Sequence, residues 1–234
     1  MYHFCIALDE KNNDCYGIKN LEVTDGYFGA PLHLMNGEQV EDLRDMLIRK
    51  LSRIVVYTVD IPVSDYNAYV RFFRNAHLIG VENIKLAYSA FADAEETAIR
   101  RVLAAAESFS IKVLFELEDA SMDSFGMEQY AALRSENTGL IFNPNEYIKH
   151  GILPYTNVLS KMKYAGDIVI LRVCDLEKES AAPVQLEKGN SEIKECASKL
   201  LTRSFNGYFA FSTYSDDIPV SDVIGVFAEV LCNM

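Results

Sequence analysis

The chain contains no run of 18 apolar residues, and its first residues lack the basic segment that opens a secretory signal. A membrane-spanning helix needs about 20 apolar residues, and a signal peptide needs a positively charged start. We therefore expect a cytoplasmic protein with no membrane partner. Linkers, low-complexity tracts and internal repeats are also missing from the sequence, so residues 1–234 are predicted to form a single domain.

Cysteines are few and follow no spacing pattern. Their number is odd, and no Cys-x-x-Cys pair occurs among Cys5, Cys15, Cys174, Cys196 and Cys232. A zinc knuckle needs closely spaced cysteines, and a disulfide framework in a small secreted domain needs an even number. We expect free thiols that are buried or half-buried.

Positive charge is also scarce, with 22 Lys and Arg against 34 Asp and Glu and a net charge of −12. Such a surface repels the phosphodiester backbone, so no nucleic-acid partner is expected. A small anionic ligand stays open, because one cation deep in a cleft can outweigh a diffuse surface charge that salt screens.

Eight short runs rich in β-branched and aromatic residues are present, most of them separated by one amphipathic stretch. This alternation predicts an α/β fold, a single closed (β/α)₈ TIM barrel, whose chemistry lies at the C-terminal ends of the strands. The runs are Tyr2–Leu8, Leu21–Phe28, Arg53–Ile61, Glu82–Ala87, Ile111–Glu118, Gly139–Phe142, Asp167–Val173 and Gly207–Ser212.

Helix signals lie between these runs. Capping residues and apolar spacing predict the helix starts, and glycines after the apolar stripes predict the ends. Helices are predicted from Asn36 with Val40, Leu43, Leu47 and Leu51 facing the core, from Ser64 or Asp65 to Gly80, over Ala94–Ser108 with an Asp93/Glu96 capping box, over Thr156–Ala165, from Asn190 or Ser191 to Arg203, and from Ser221 with Ile224, Phe227 and Leu231 inward.

The connection between the first two strands breaks the pattern. Only Asp9–Asn20 lie there, without an apolar stripe, whereas a parallel crossover usually takes a dozen or more residues including its helix. The first crossover helix is therefore predicted to be reduced or missing. That would leave barrel wall uncovered, a plausible contact for a homo-oligomer.

Polar residues follow the later strands in an order typical of one family. The relevant segments are Phe115-Glu-Leu-Glu-Asp119, Ile141-Phe-Asn-Pro-Asn-Glu-Tyr147, Ile170-Leu-Arg-Val-Cys-Asp175, Pro183-Val-Gln-Leu-Glu-Lys-Gly-Asn190 and Gly207-Tyr-Phe-Ala-Phe-Ser212. They resemble the L-x-L-E-N-H, G-L-x-x-D-x-x-H, H-x-K-D, P-L-G-x-G and G-x-x-x-x-E segments of the xylose isomerase-like TIM barrels, the sugar phosphate isomerase/epimerase family. The resemblance is best over residues 81–212.

That resemblance implies a divalent metal held by four side chains, only one of which is kept. Glu118 matches the first ligand, but Asn143 stands at the Asp position, Arg172 at the His position and Ser212 at the last Glu position. A guanidinium cannot ligate a metal, and a neutral amide oxygen is a weaker ligand than a carboxylate. Because divalent cations usually require two or more carboxylates, we expect no metal in the inherited site and no other cofactor.

The remaining polar residues supply the candidate site. Glu146, at the position of a family His, and Asp175, which matches the H-x-K-D aspartate, join Glu118 as catalytic candidates, although both could be capping or solvated acids. Arg172 pairs with Glu118 as a structural ion pair, anchors an anion, or exposes its side chain outside the barrel. Lys188 either grips phosphate before a helix N-terminus or is solvated. The predicted ligand-binding residues are Arg172, Asn143, Ser212, Lys188 and Glu116.

The resemblance implies a sugar or sugar-phosphate isomerase/epimerase-like protein that acts on a small carbohydrate by proton transfer. Loss of the metal removes the Lewis acid of that mechanism. The alternative is a catalytically degenerate barrel that binds a sugar-derived anion without turnover, and other lyase or hydrolase chemistry also stays open, since a barrel fold does not fix its reaction.

Overall fold

The computed structural model describes residues 2–9, 12–117 and 126–234, in which strands and helices alternate. The strands are β1 (His3–Leu8), β2 (Asn20–Thr24), β3 (Arg53–Val59), β4 (Asn83–Leu86), β5 (Lys112–Glu116), β6 (Thr138–Phe142), β7 (Ile168–Arg172) and β8 (Tyr208–Phe211). The α-helices are α1 (Gly37–Arg49), α2 (Tyr66–Leu78), α3 (Glu96–Ser108), α4 (Met127–Leu133), α5 (Pro144–Ile148), α6 (Ile193–Leu201) and α7 (Val220–Cys232).

The eight strands form a closed barrel in chain order, which confirms the predicted (β/α)₈ architecture. Strand pairing is parallel in the pairs that fix the register near the candidate site: Phe142 of β6 lies beside Leu171 of β7, and Arg172 of β7 lies beside Ala210 of β8. The C-terminal ends of these strands therefore lie at one edge of the sheet, where such barrels place their functional side chains.

Strand β2 is shorter than its predicted run, Leu21–Phe28. The strand ends at Thr24 because the chain turns there, with Tyr27 N donating to the Thr24 carbonyl and Gly29 N to the Gly26 carbonyl. Both glycines have a positive φ, +88° and +94°, which is cheap only for glycine. The prediction was too long because Tyr27 and Phe28 resemble strand residues by composition alone.

Helix α1 confirms its predicted start. The Asn36 side chain accepts from Gln39 N while the Gln39 side chain accepts from Asn36 N, a reciprocal capping box. Val40, Leu43 and Leu47 are buried, as their spacing predicts. Leu51 was wrongly placed on this face: the helix ends at Arg49, and Leu51 has φ +52° and is 78% exposed.

Helix α2 resolves an alternative that the sequence leaves open. Asp65, not Ser64, is its N-cap, and the Asp65 side chain accepts from Ala68 N at 3.0 Å. Beyond the helix, Gly80 has φ +77°, the left-handed conformation predicted for it.

The predicted capping box of α3 does not form. Turns over residues 88–94 delay the helix, and it begins at Glu96 with Glu95 as an N-cap that makes no side-chain hydrogen bond. The predicted Asp93/Glu96 pair therefore lies outside capping geometry.

The helix predicted over Thr156–Ala165 is also wrong. Short turns occupy this stretch: a π turn over Pro154–Val158 and 3-10 turns over Leu159–Lys161 and Ala165–Asp167. Glu192, from a distant part of the sequence, accepts hydrogen bonds from Tyr155 N and Thr156 N and holds the first turn in place. That contact is long-range, so local periodicity does not reveal it.

The last two helices follow their predictions with shifted ends. Helix α6 starts at Ile193, two or three residues after the predicted cap, and α7 starts at Val220. Phe227 and Leu231 are buried in α7 as predicted, whereas Ile224 is only half-buried.

The first crossover has no helix in its described residues, 12–19, as predicted. A turn closed by Ile18 N donating to the Cys15 carbonyl stands in its place. Oligomerisation through this strip stays a prediction.

Contacts group the chain into two units. The first takes in Leu140–Met234 with the described parts of Met1–Ala7 and Glu116–Gly126. Its core contains Phe209 and Phe227, whose rings lie 5.0 Å apart and join β8 to α7.

The second unit comprises Leu8–Phe115 and Met127–Gly139. Its core contains Tyr57 of β3 and Phe72 of α2, with ring centroids 5.2 Å apart. The single-domain prediction for residues 1–234 stays a prediction. Among the described residues, no helix is long and apolar enough to cross a membrane.

The cysteines are free, as expected. Cys5, Cys174 and Cys196 are buried and Cys15 is half-buried, whereas Cys232 is exposed, contrary to the prediction. Cys232 is the last residue of α7, which brings it to the surface.

Replacement of the observed α2 cap tests this assignment. Asp65→Ala should lower the free energy of unfolding by about 1 kcal/mol, because it leaves an N-terminal amide of the helix without its acceptor. Ser64→Ala, one residue earlier at an exposed position, should change it by less than about 0.5 kcal/mol. Urea unfolding of both variants checks the pair, and equal losses would contradict the cap.

Candidate functional site

Four of the predicted site residues lie at the C-terminal ends of consecutive strands. Glu116 is the last residue of β5 and Arg172 the last of β7, while Asn143 follows β6 and Ser212 follows β8 directly. Parallel strands in register bring such positions to one edge of the sheet. The first three are joined by contacts, and Ser212 is half-buried after β8.

Arg172 and Glu116 form the charged centre of this group. Nε of Arg172 lies 3.7 Å from Oε1 of Glu116, and the two side chains are only 9% and 12% exposed. Charges this far from water must be compensated by one another or by hydrogen bonds. The guanidinium therefore sits in a site that supplies negative charge, and the pair fixes both side chains.

Asn143 links the acids of the site. Its Nδ2 donates to Oε1 of Glu116 at 2.9 Å and lies 3.4 Å from Oε1 of Glu146. Glu146 in turn accepts from Nζ of Lys149 at 2.7 Å, and it is 24% exposed. The donor face of the amide is thus turned towards two carboxylates.

The oxygen of Asn143 is occupied by local structure. Asn143 is the N-cap of α5, and its Oδ1 accepts from Asn145 N at 3.2 Å while Pro144 opens the helix. Cys174 Sγ lies 3.6 Å from the same oxygen. Proline at the first helical position and an asparagine cap before it are the usual start of a helix, so the sequence Asn143-Pro144 sets this orientation locally.

Asp175, three residues past the end of β7, has a different environment. It is 2% exposed, and its two oxygens accept from Gly189 N at 2.9 Å and Ser191 N at 3.0 Å. These contacts tie the loop of residues 176–191 to the strand end. Its predicted catalytic role stays a prediction, and the geometry favours an anchoring role.

A second layer of hydrogen bonds strengthens that anchor. Ser191 Oγ accepts from Leu176 N at 3.1 Å and donates to Oδ1 of Asn145 at 3.2 Å. The loop after β7 is therefore connected to α5, the helix that Asn143 caps. Sequence spacing does not reveal Asn145 and Ser191, because their partners lie 46 and 15 residues away.

Burial makes the Cys174 thiol unreactive. It raises the pKa of Cys174 to about 12, and the nearby charges of Asp175 and Glu116 act in the same direction. The thiol is therefore protonated near neutral pH, whereas a nucleophile needs the thiolate. Tyr214 is similar: burial raises its pKa, and its hydroxyl donates to the Val184 carbonyl.

Among the described residues, the predicted residues Lys188 and Ser212 have no hydrogen bond or ion pair with this network. Lys188 is exposed in the loop after β7, where its backbone N donates to the Gln185 carbonyl. Glu118, the predicted metal ligand, lies outside the described residues. Among the described residues, the carboxylate that lies beside Arg172 is that of Glu116.

Arg172 and Asn143, which stand where the resemblance implies metal ligands, do not suit a divalent cation. Arg172 brings a permanent positive charge, and Asn143 turns its NH₂ group, a donor, towards the carboxylates. Repulsion between a guanidinium and a dication about 4 Å apart is roughly 8 kcal/mol at an effective dielectric of about 20. Within residues 2–9, 12–117 and 126–234, no group of three or more His, Cys, Asp or Glu side chains is arranged to hold a metal.

A second polar cluster, in the other unit, was missed from the sequence. Asp25 follows β2, and its Oδ1 accepts from the Tyr57 hydroxyl and from Leu32 N, both at 2.9 Å. His33 Nδ1 lies 3.8 Å from Asp25 Oδ2 and is buried without a hydrogen-bond partner. Burial, and then the charge of Asp25, raise the pKa of Tyr57. The sequence did not indicate this cluster, because the predicted strand Leu21–Phe28 includes Asp25 and its partner Tyr57 lies 32 residues away.

Comparison with known proteins gives no match by family: no protein-family model matches the chain, and no curated protein does. Solved structures do match in fold. A D-tagatose 3-epimerase-like protein superposes with a TM-score of 0.73 at 14% identity, covering 99% of this chain and 97% of that one.

Two further structures are similar. D-psicose 3-epimerase with D-tagatose from Clostridium cellulolyticum H10 has a TM-score of 0.66 at 13% identity, covering 96% of this chain and 89% of its own. A xylose isomerase-like TIM barrel protein from Mycobacterium smegmatis in complex with magnesium has a TM-score of 0.63 at 12% identity, with coverage of 99% and 96%.

At these identities the likeness establishes the fold and leaves the activity open. It confirms the resemblance that the strand-end motifs predicted. The chain has the fold of the xylose isomerase-like TIM barrels, which is shared by sugar epimerases and isomerases.

Proposed function

We propose that the protein binds a small carbohydrate, or an acid derived from one, at the C-terminal ends of β5, β6 and β7, without a divalent metal and without turnover. The network of Arg172, Glu116 and Asn143 is the observation on which this proposal depends. It puts a guanidinium where the resemblance implies a metal ligand.

The same three side chains are suited to sugar recognition. Carboxylates accept from hydroxyl groups, while amides and guanidinium groups donate to hydroxyl or carboxylate oxygens. A guanidinium carries several N–H donors, so the carboxylate of a sugar acid would bind Arg172 in the bidentate geometry that arginine favours.

Lack of turnover follows from the state of the acids. Glu116 is held by the Asn143 amide beside a guanidinium, and Glu146 is paired with Lys149. Both carboxylates are therefore already bonded to groups of the protein. The Lewis acid that would activate the sugar carbonyl has no suitable donor set among the described residues.

Proton transfer by Glu146 is the second candidate, because this carboxylate is partly exposed at the strand ends. A base here could remove the proton from the carbon next to a sugar carbonyl. An epimerase returns a proton to the opposite face of the same carbon, whereas an isomerase returns it to the former carbonyl carbon while a proton passes from the hydroxyl to the carbonyl oxygen; the resemblance implies one of these reactions. Exchange with solvent during that step would distinguish this candidate from simple binding.

A ligand series separates the two candidates. Thermal shift and saturation-transfer NMR with neutral ketoses, aldoses and sugar acids should reveal binding that Arg172→Met weakens at least about tenfold, since it removes the charged donor. In D₂O the bound sugars should gain no deuterium next to the carbonyl.

Lys149→Met is the matched control, because it also replaces a cation by methionine but at a side chain that is 51% exposed. It should leave binding unchanged. Deuterium incorporation that Glu146→Gln abolishes would replace the binding proposal by the isomerase. Absence of binding to every sugar and sugar acid would contradict both.

A double-mutant cycle tests whether Arg172 and Glu116 form a buried pair. Arg172→Met should lower the free energy of unfolding by about 3 kcal/mol, because Glu116 keeps its charge away from water with only part of its compensation. Adding Glu116→Gln should recover part of that loss, so the double variant is less destabilised than the sum.

Lys149→Met should cost less than about 1 kcal/mol in the same urea titrations, since exposed ion pairs stabilise little. Additive effects of Arg172→Met and Glu116→Gln would mean that the two side chains do not interact.

A further inference from the structure

The loop after β7 contains two converging backbone donors. Gly189 N and Ser191 N both point to the Asp175 carboxylate, one to each oxygen, at 2.9 Å and 3.0 Å. Successive backbone N–H groups that converge on one point form the concavities in which proteins bind anions. In TIM barrels, the loops after strands seven and eight frequently grip the phosphate of a substrate.

In this chain a carboxylate of the protein occupies that position. Asp175 is 2% exposed, so solvent and ligands do not reach it. A Cβ added at Gly189 would lie 2.3 Å from Asp175 Oδ1 and 2.5 Å from the Leu176 carbonyl oxygen. The loop therefore approaches the carboxylate so closely that only glycine fits at position 189. No space for a phosphate is left between the donors and the strand end.

The neighbouring groups maintain this arrangement. Asn190 N donates to the Leu176 carbonyl at 2.8 Å, and Ser191 Oγ bridges Leu176 N and Asn145. Lys188, the loop cation that could have assisted phosphate binding, is exposed. The backbone N–H groups of Gly189, Asn190 and Ser191 are therefore all bonded to acceptors of the protein itself.

We propose that Asp175 is a specificity determinant: its carboxylate fills the anion cradle formed by Gly189 and Ser191, so that the site accepts sugars and sugar acids but not sugar phosphates gripped by this loop. The inference rests on the proposed function and narrows its ligand class. A buried carboxylate also repels a phosphate electrostatically, which reinforces the steric exclusion.

Removal of the carboxylate should open the cradle. Inorganic phosphate is titrated into the wild type and Asp175→Ala at constant ionic strength, with binding followed by calorimetry and by ³¹P NMR line width. The variant should bind phosphate at least about tenfold more tightly than the wild type, because two backbone donors are released for a charged acceptor.

Two further variants make the result specific. Glu177→Ala removes one negative charge from the same loop at an exposed position and should leave phosphate affinity unchanged. Asp175→Ser removes the charge and most of the volume that fills the cradle, while its hydroxyl can still accept one backbone N–H, so it should gain affinity even if Asp175→Ala fails to fold. Equal phosphate affinity in wild type and both Asp175 variants, or an equal gain in Glu177→Ala, would overturn the inference.

The test of the cradle can succeed or fail independently of the test of the proposed function. Phosphate binding by the Asp175 variants requires no sugar, so a protein that binds no sugar could still confirm the cradle. Conversely, a wild type that binds sugar phosphates at least as tightly as the matching sugars, with that preference unchanged in Asp175→Ser, would overturn the inference while leaving carbohydrate binding intact.

Discussion

The charge of Arg172 governs the chemistry of the candidate site. A guanidinium stays protonated at any accessible pH, and here it lies at the end of β7 with its side chain 9% exposed. Its neighbours must supply negative charge, and Glu116 does so at 3.7 Å. The Asn143 amide then directs its NH₂ group towards the carboxylate of Glu116. An arrangement built to satisfy a buried cation is poorly suited to hold a second, divalent one.

A series of hydrogen bonds connects Asn143, the neighbour of Glu116, to the loop after β7. Asn143 caps α5, Asn145 in that helix accepts from Ser191, and Ser191 together with Gly189 encloses Asp175. These polar groups, from Asn143 to Asp175, are hydrogen-bonded to one another within one unit. The chain thus combines the fold of the xylose isomerase-like TIM barrels with strand ends whose polar groups bond to one another.

The barrel could be predicted because it depends on local patterns: strand runs, apolar spacing and caps such as Asn36 are visible in short windows. The exposure of Leu51 could not be predicted, because its left-handed backbone ends the helix pattern. The turns over Thr156–Ala165 could not be predicted either, because the distant carboxylate of Glu192 holds the start of that segment. The site positions Asn143 and Arg172 followed from motif register. The burial of Asp175 depends on contacts 14 and 16 residues away, and Asp25 and Tyr57 meet across 32 residues, so spacing alone reveals neither.

The claim that a guanidinium has replaced the metal is tested most directly by calorimetric titration of the wild-type protein with Mn²⁺, Mg²⁺ and Zn²⁺ near neutral pH. The account predicts no stoichiometric binding tighter than about 1 mM, the level of a weak site with few charged ligands. Tight one-to-one binding that Glu118→Gln or Glu116→Gln abolishes would contradict it, because such a site would have to overcome the charge of Arg172.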